Sequence, residues 1–522
     1  MDRSSITNRI RSHQSRWDII VVGGGATGVG VAVDAAARGY DVLLFEQSDF
    51  GKGTSSRSTK LVHGGVRYLE QGNLTLVMEA LKERGILLRN APHLVRNLGF
   101  VVPRYDWWEA PFYGIGLKVY DLLAGKYGFG ASQILSLEQT SEYLPTVELD
   151  GLRGGVLYFD GQFDDSRLLI NLVATAFEQG ATLINYAPVE ALTKDEHGYV
   201  NGVIAEDAET GEKFRAEAGV VVNATGAFSD SLRLKADAAI IPMMAPSQGV
   251  HLVFDRSFLP GITAIMAPHT SDGRVMFAIP WHGHTLVGTT DTSIEEPTLE
   301  PVAMEEEIDF LLATSGRYLA KKPARADVLS VFAGIRPLVR GGTMKTAALS
   351  RDHVVHVDES GLVTVCGGKW TTYRRMAEDC VSQAATLAQL DERPSPTAHL
   401  NIHGFHDCAE KFGDLAVYGA DAPEILQLIE EEAALAVRLH SDLPYIAAEV
   451  VWSVRREMAR TVEDVLARRT RALFLNAGAA REMARAVAEL MARELRAGEE
   501  WKTRQLAAFE AVAVNYQLGD HR

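Results

Sequence analysis

Gly23, Gly25 and Gly28 stand in a GxGxxG spacing, directly after a strand-like run at 18–22 and before a small-residue run at 26–38 that suits a helix. A chain that must turn sharply and let a pyrophosphate approach helix N–H groups needs glycine there, because a Cβ would block both. Glu46 closes the next strand-like run, 41–45. A carboxylate at that point accepts hydrogen bonds from adenosine ribose hydroxyls and repels a 2′-phosphate. The chemistry implied is dinucleotide binding, of NAD or FAD and not NADP.

Further segments choose between those two. Thr54, Ser55, Ser56 and Ser58, with Lys60 and His63-Gly64-Gly65, put hydroxyls and compact backbone just after the second strand. They suit contact with a pyrophosphate and a flavin ring, and a nicotinamide enzyme has no evident use for them. The β-branched run 220–222 leads into Asn223-Ala224-Thr225-Gly226, whose small residues allow close backbone approach to the dinucleotide. Cys366-Gly367-Gly368-Lys369-Trp370-Thr371-Thr372 repeats that pattern and opens a helix. The partial positive charge of its N-terminus would stabilise an anionic reduced flavin. Three glycine sites, far apart in sequence, are thus expected on one FAD.

The stretches GGGATGVGVAVDAAARG, TSSRSTKLVHGGVRYLE, VVNATGAFSD, FAGIRPLV and CGGKWTTYRRMAED resemble the aerobic, respiratory FAD-dependent glycerol-3-phosphate dehydrogenase family, from about residue 17 to the C-terminus. The resemblance implies an α/β fold similar to D-amino-acid oxidase and glycine oxidase: a Rossmann-type FAD-binding domain, an antiparallel-sheet domain capping the substrate, and a helical C-terminal domain. It implies oxidation of sn-glycerol 3-phosphate to dihydroxyacetone phosphate by hydride transfer from C2 to flavin N5, with electrons passed to membrane quinone. A glycerol-3-phosphate oxidase that uses O2 is the alternative. The resemblance also places Gly24, Ala26, Thr27, Leu61, Val189 and Gly334 among the cofactor contacts.

A phosphate near dianionic charge calls for several donors and cations, and Arg67, Arg336 and Lys369 lie in the matching motifs, with Tyr68 adding a hydroxyl. Loss of the O2 proton requires a base of near-neutral pKa. His63, in the HGG segment, and His251, in a strand-like stretch at 249–254, are the candidates, with Arg336 polarising the developing ketone and Lys369 also counted as catalytic. No metal is called for. Trp370 stands where relatives often carry leucine, and no D-x-[DN]-x-[DN]-G loop accompanies the resemblance, so calcium control is not expected.

These residues need a scaffold, and 522 residues exceed one hydrophobic core. The expected division is a discontinuous FAD-binding domain (17–90, 150–235, 330–395), a capping domain (91–149, 236–329) whose short runs 250–254, 274–279 and 285–288 suit an antiparallel sheet, and a helical domain from 400 to 522. Met458, Val462, Val465 and Leu466, and then Met483, Val487, Leu490 and Met491, recur there at helical spacing. A net charge of −16 opposes nucleic acid. Three cysteines, Cys366, Cys380 and Cys408, show no metal-ligand spacing and fit a reducing, cytoplasmic setting.

No apolar run reaches the roughly 18 residues of a bilayer span. The aromatic stretch from Trp107 and Trp108 through Phe112, Tyr113, Ile115, Leu117, Val119, Leu122 and Leu123, with Lys118 and Lys126, suits either a membrane interface or a buried helix-loop of the capping domain, and the resemblance to quinone-reducing enzymes implies the first, a peripheral attachment to the cytoplasmic membrane. Arg455, Arg456, Arg460, Arg468, Arg469 and Arg471 read as a solvated, ion-paired basic face that anionic headgroups could also meet. Residues 1–16 read as a disordered basic tail. A homodimer is left open.

Overall fold

The computed structural model describes residues 1–65, 74–106, 109–270, 273–340 and 353–519, without the side chains of 109–115 and 126. Two sheets organise it. The first runs in the order His353–Val357, Val363–Gly367, Lys213–Asn223, Trp17–Val22, Val42–Phe45, Thr182–Ile184. Its pairings are parallel apart from the antiparallel edge strand His353–Val357 and a hairpin, Val189–Lys194 with Val200–Glu206, on the first half of Lys213–Asn223. Val21, Leu43, Leu44 and Val221 have no exposed surface. That is why these strands read as unbroken apolar runs, since helices cover both faces of a parallel sheet. Ala26–Ala37 packs against both Tyr373–Leu387 and Asp165–Glu178, and all three share one core with the sheet.

The second sheet runs Thr292–Ser293, Ser247–Asp255, His284–Gly288, Met276–Trp281, Ala264–Ala267, Val95–Pro103, Gly155–Phe163, Leu61–Val62. Val328–Arg336 flanks Ser247–Asp255, and Gln133–Leu135 flanks Gly155–Phe163. Its pairings are antiparallel except that of Val95–Pro103 with Ala264–Ala267. Leu61–Val62, Gly155–Phe163 and most of Val328–Arg336 come from stretches expected in the nucleotide-binding domain, yet pair in this second sheet. The chain therefore alternates between sheets more finely than its apolar runs suggest.

From residue 400 the chain is mainly helical, with Ala447–Arg456, a π-helical turn at Asp464–Arg469, Ala477–Leu495 and Glu499–Ala513. Met483, Val487 and Met491 are fully buried at the expected spacing, in a core shared with the second sheet. Two expectations need correction. Residues 1–16 are not a disordered tail: Arg3–Ser12 is a helix capped by Asp2, with Ile6 and Ile10 buried in the main core and Arg3 paired with Asp207. The basic face is only half a face. Arg455, Arg456 and Arg460 pair at the surface with Glu494, Glu424 and Glu209, whereas Arg468, Arg469 and Arg471 are buried among Asp49, Glu463, Asp464 and Asp165.

Candidate active site

The parallel sheet ends in a turn that only glycine can make. Gly23 has φ +112°, and a Cβ there would lie 2.6 Å from the Ala224 carbonyl oxygen. A Cβ on Gly28 would collide with the Gly23 carbonyl, so the third glycine sets how closely the helix approaches the turn. The helix Ala26–Ala37 starts at once, and its Ala26 N–H donates to Ser55 Oγ at 2.9 Å. Glu46 Oε2 accepts from Gly24 N–H at 2.6 Å and Oε1 from Ser48 N–H at 2.8 Å. Burial raises its carboxyl above the usual range, while those two donors pull the other way. On the neighbouring strand Asn223 accepts from Thr225 Oγ1 at 2.7 Å, which presents Ala224-Thr225-Gly226 at the strand end. Gly226 has φ +61° with no atom within 4 Å of a notional Cβ.

These backbones line one cavity of about 630 Å³, well within the span of small-molecule sites. Its wall includes Gly23, Gly25, Ala26, Thr27, Glu46, Thr54, Ser55, Ser58, Leu61, Val189, Ala224, Thr225, Gly226 and Gly334. It continues through His63, His251, Arg336, Gly368, Lys369, Trp370 and Thr371. The residues present fit FAD: a helix N-terminus beside glycines for the pyrophosphate, the half-buried carboxylate of Glu46 for the ribose, and hydroxyls and small residues from three distant segments for the rest. Trp370 takes part through its indole Nε1, which donates to the Ser55 carbonyl at 2.8 Å, and packs edge-on against Phe163 and Tyr373.

Arg336 lies against the cavity with its guanidinium braced. Nη2 donates to the Thr290 carbonyl at 2.8 Å and Thr289 Oγ1 at 3.1 Å, and Nη1 to the Gln248 carbonyl and Asp291, both at 3.3 Å. His251 stacks on Phe332 at 4.8 Å, with Nε2 2.9 Å from Thr59 Oγ1. Burial, then the charges of Lys60 and Arg336, hold it well below the usual histidine range, so it is neutral. His63 is half-buried, and its backbone N–H donates to Thr371 Oγ1 at 3.2 Å.

Five expected cofactor residues lie behind the wall and not on it. Gly24 and Gly28 shape the turn, Gly64 donates its N–H to Asp160 at 3.3 Å, and Ser56 is 1% exposed. Lys60 is fully buried, its ammonium 2.6 Å from Asp165 and 2.8 Å from the Ser56 carbonyl, so its side chain does not reach the cavity. In an irregular loop, residue type does not reveal which side chain turns inward. Arg67 and Tyr68 lie outside the described residues. The sequence reading missed Arg274 and Thr59, both lining the cavity. A signal existed for Arg274, the lone charge at the head of the apolar run 274–279.

Comparison with known proteins agrees with this geometry. Residues 18–374 match the FAD dependent oxidoreductase family, and 365–502 match the C-terminal domain of alpha-glycerophosphate oxidase. The chain is 42% identical over 501 residues to mitochondrial glycerol-3-phosphate dehydrogenase of Rattus norvegicus, covering 89% of this chain and 69% of the relative. Glycerol-3-phosphate dehydrogenase from Bacillus halodurans, solved with FAD, superposes with a TM-score of 0.79 at 31% identity, over 98% of this chain and 97% of that one. Glycine oxidase from Geobacillus kaustophilus shares the fold, with a TM-score of 0.53 at 21% identity over 72% of this chain and 96% of the other. The chain belongs to the FAD-dependent glycerol-3-phosphate dehydrogenase family.

Proposed function

We propose that this chain oxidises sn-glycerol 3-phosphate to dihydroxyacetone phosphate and passes the electrons to membrane quinone. The observation that carries the reading is that Arg274, Arg336 and Lys369, from three distant segments, line the cavity that also holds the glycine turn. A phosphate dianion matches several such cations, whereas one arginine suffices for a carboxylate. FAD, when bound, would supply the two-electron sink for the hydride at C2. The protein's own part is orientation and proton handling. Arg336, braced by four partners, needs little rearrangement to face a developing ketone oxygen. His63, half-buried at the cavity, takes the O2 proton. His251 is a neutral hydrogen-bonding wall, because a cation there would be buried beside Lys60 and Arg336.

Relatives sharing 42% of the sequence are dehydrogenases, which favours quinone over the oxidase reading. Peripheral membrane contact is supported by exposed apolar side chains on two packed helices, Leu74 and Met78 on Leu74–Asn90, and Val119 and Leu122 on Glu109–Ala124. No helix among the described residues is long and apolar enough to cross a bilayer.

The test is anaerobic. Addition of sn-glycerol 3-phosphate is expected to bleach the bound flavin, and glycerol or D-lactate at equal concentration is not. Bleaching by glycerol alone would refute the phosphate site. Oxygen uptake without a quinone analogue, at the rate seen with one, would move the reading to the oxidase.

A further inference from the structure

The loop at 54–61 bonds to four segments of the site. Ser55 Oγ accepts from Ala26 N–H at the helix start, and the Ser55 carbonyl accepts from Trp370 Nε1 at 2.8 Å. Thr54 Oγ1 donates at 2.6 Å to the carbonyl of Ile335, the residue before Arg336, and Thr59 Oγ1 meets His251. A displacement of this loop therefore moves the nucleotide turn, the tryptophan, the arginine and the histidine together.

Its far side is held by a charge cluster that the proposed chemistry does not use. Arg471, from the C-terminal region, is 1% exposed and has φ +64°, a conformation a non-glycine residue keeps only where its surroundings enforce it. Its Nη2 donates to the Ser56 carbonyl at 2.7 Å and to Asp165 Oδ1 at 3.1 Å, and Nη1 to the Ala467 carbonyl at 2.7 Å. Lys60 donates to that same Ser56 carbonyl and to Asp165 Oδ2, which also takes the Ser58 N–H and hydroxyl at 3.0 and 2.7 Å. Phe474 lies under both cations, 4.3 Å from the Arg471 guanidinium and 5.4 Å from the Lys60 ammonium. Buried ion pairs of this kind add little net stability compared with apolar residues of the same volume, but breaking one is costly.

We propose that Arg471 is a positioning residue for the flavin-contact loop, through which the C-terminal helical region sets how tightly FAD is held. The proposal rests on reading 54–61 as a wall of the flavin site. It does not depend on which substrate is oxidised.

The experiment measures FAD affinity and the visible flavin spectrum of full-length variants whose folding is checked by far-ultraviolet circular dichroism. Arg471→Met is expected to hold FAD at least tenfold more weakly and to shift the flavin absorption band, and Arg471→Lys to recover part of both. Arg456→Ala, which removes a surface pair in the same region, is expected to change neither. A folded Arg471→Met with wild-type affinity and spectrum overturns the proposal. Should Arg471→Met not fold, Phe474→Leu loosens the guanidinium without deleting a charge and is expected to weaken FAD about threefold; wild-type affinity and spectrum there overturn it equally. Gly25→Val, which crowds the helix start, tests the site itself. FAD lost in Gly25→Val but kept in the Arg471 variants sinks this inference alone, and FAD kept in Gly25→Val sinks the site reading beneath it.

Discussion

Arg336 shows how one side chain can be both a wall and a tool, because its partners are mostly carbonyl and hydroxyl oxygens that orient the guanidinium. Arg336→Ala is expected to lower kcat/KM by about 3 kcal/mol of transition-state binding, as when one partner of a buried charge contact is removed. The check is steady-state kinetics with the purified flavoprotein. The two histidines separate by pH. His251 is held well below the usual histidine range by burial, so any rise of kcat/KM towards neutral pH is expected to persist, at lower rate, in His251→Gln. The opposite pattern would make His251 the base. Residue type and motif made Arg336, Lys369 and Gly23 legible in the sequence. Lys60 was misread because a serine-rich loop has no periodicity to tell inward from outward, and Arg274 was passed over because no motif surrounds it.

At the scale of elements, the strand, turn and helix at 17–37 follow from local sequence alone. A fully buried parallel strand must be apolar along its length, and a turn with Gly23 at φ +112° must be glycine. Gly28→Val would drive a side chain into the Gly23 carbonyl and push the helix off the turn. The variant is expected to purify without visible flavin absorbance, and a yellow holoprotein would show that the helix start does not hold the cofactor. Pairing partners were far less legible. Gly155–Phe163 and Val328–Arg336 carry strand-like patterns, but nothing local says that the first lies beside Val95–Pro103 and the second beside Ser247–Asp255. The N-terminal helix was hidden for a related reason: only Ile6 and Ile10 mark its buried side amid arginines and serines.

At the scale of the whole molecule, the C-terminal region is fastened by charge as well as by apolar packing. His403 sits between Asp421 at 2.8 Å and Glu178 at 2.6 Å. Burial alone would lower its pKa, but bonds to Asp421 and then Glu178 raise it to about 9. A folded-state value above the unfolded one of roughly 6.5 gives stability that is complete below that pH and lost as pH climbs through 9. With partial exposure, the amount is about 1 kcal/mol. Thermal melts are expected to show a lower Tm at pH 9.5 than at pH 6.5, and His403→Gln to shrink that difference; an unchanged difference assigns it to other groups. On the surface, Leu122 is 81% exposed. Leu122→Asp is expected to reduce co-sedimentation with phospholipid vesicles while leaving flavin bleaching by substrate intact. Equal sedimentation would place any membrane contact elsewhere.

The order of strands in the parallel sheet bears on how the protein is made. Trp17–Val22 lies beside Val42–Phe45, but its other neighbour, Lys213–Asn223, emerges some two hundred residues later, and Val363–Gly367 later still. A nascent chain halted midway through translation has the phosphate turn yet lacks one side of the pocket. The clasp at Arg471 arrives last of all. Cofactor capture is therefore expected only once synthesis is nearly finished, and fragments truncated before residue 370 are expected to be colourless and prone to aggregate through their unpaired strand edges.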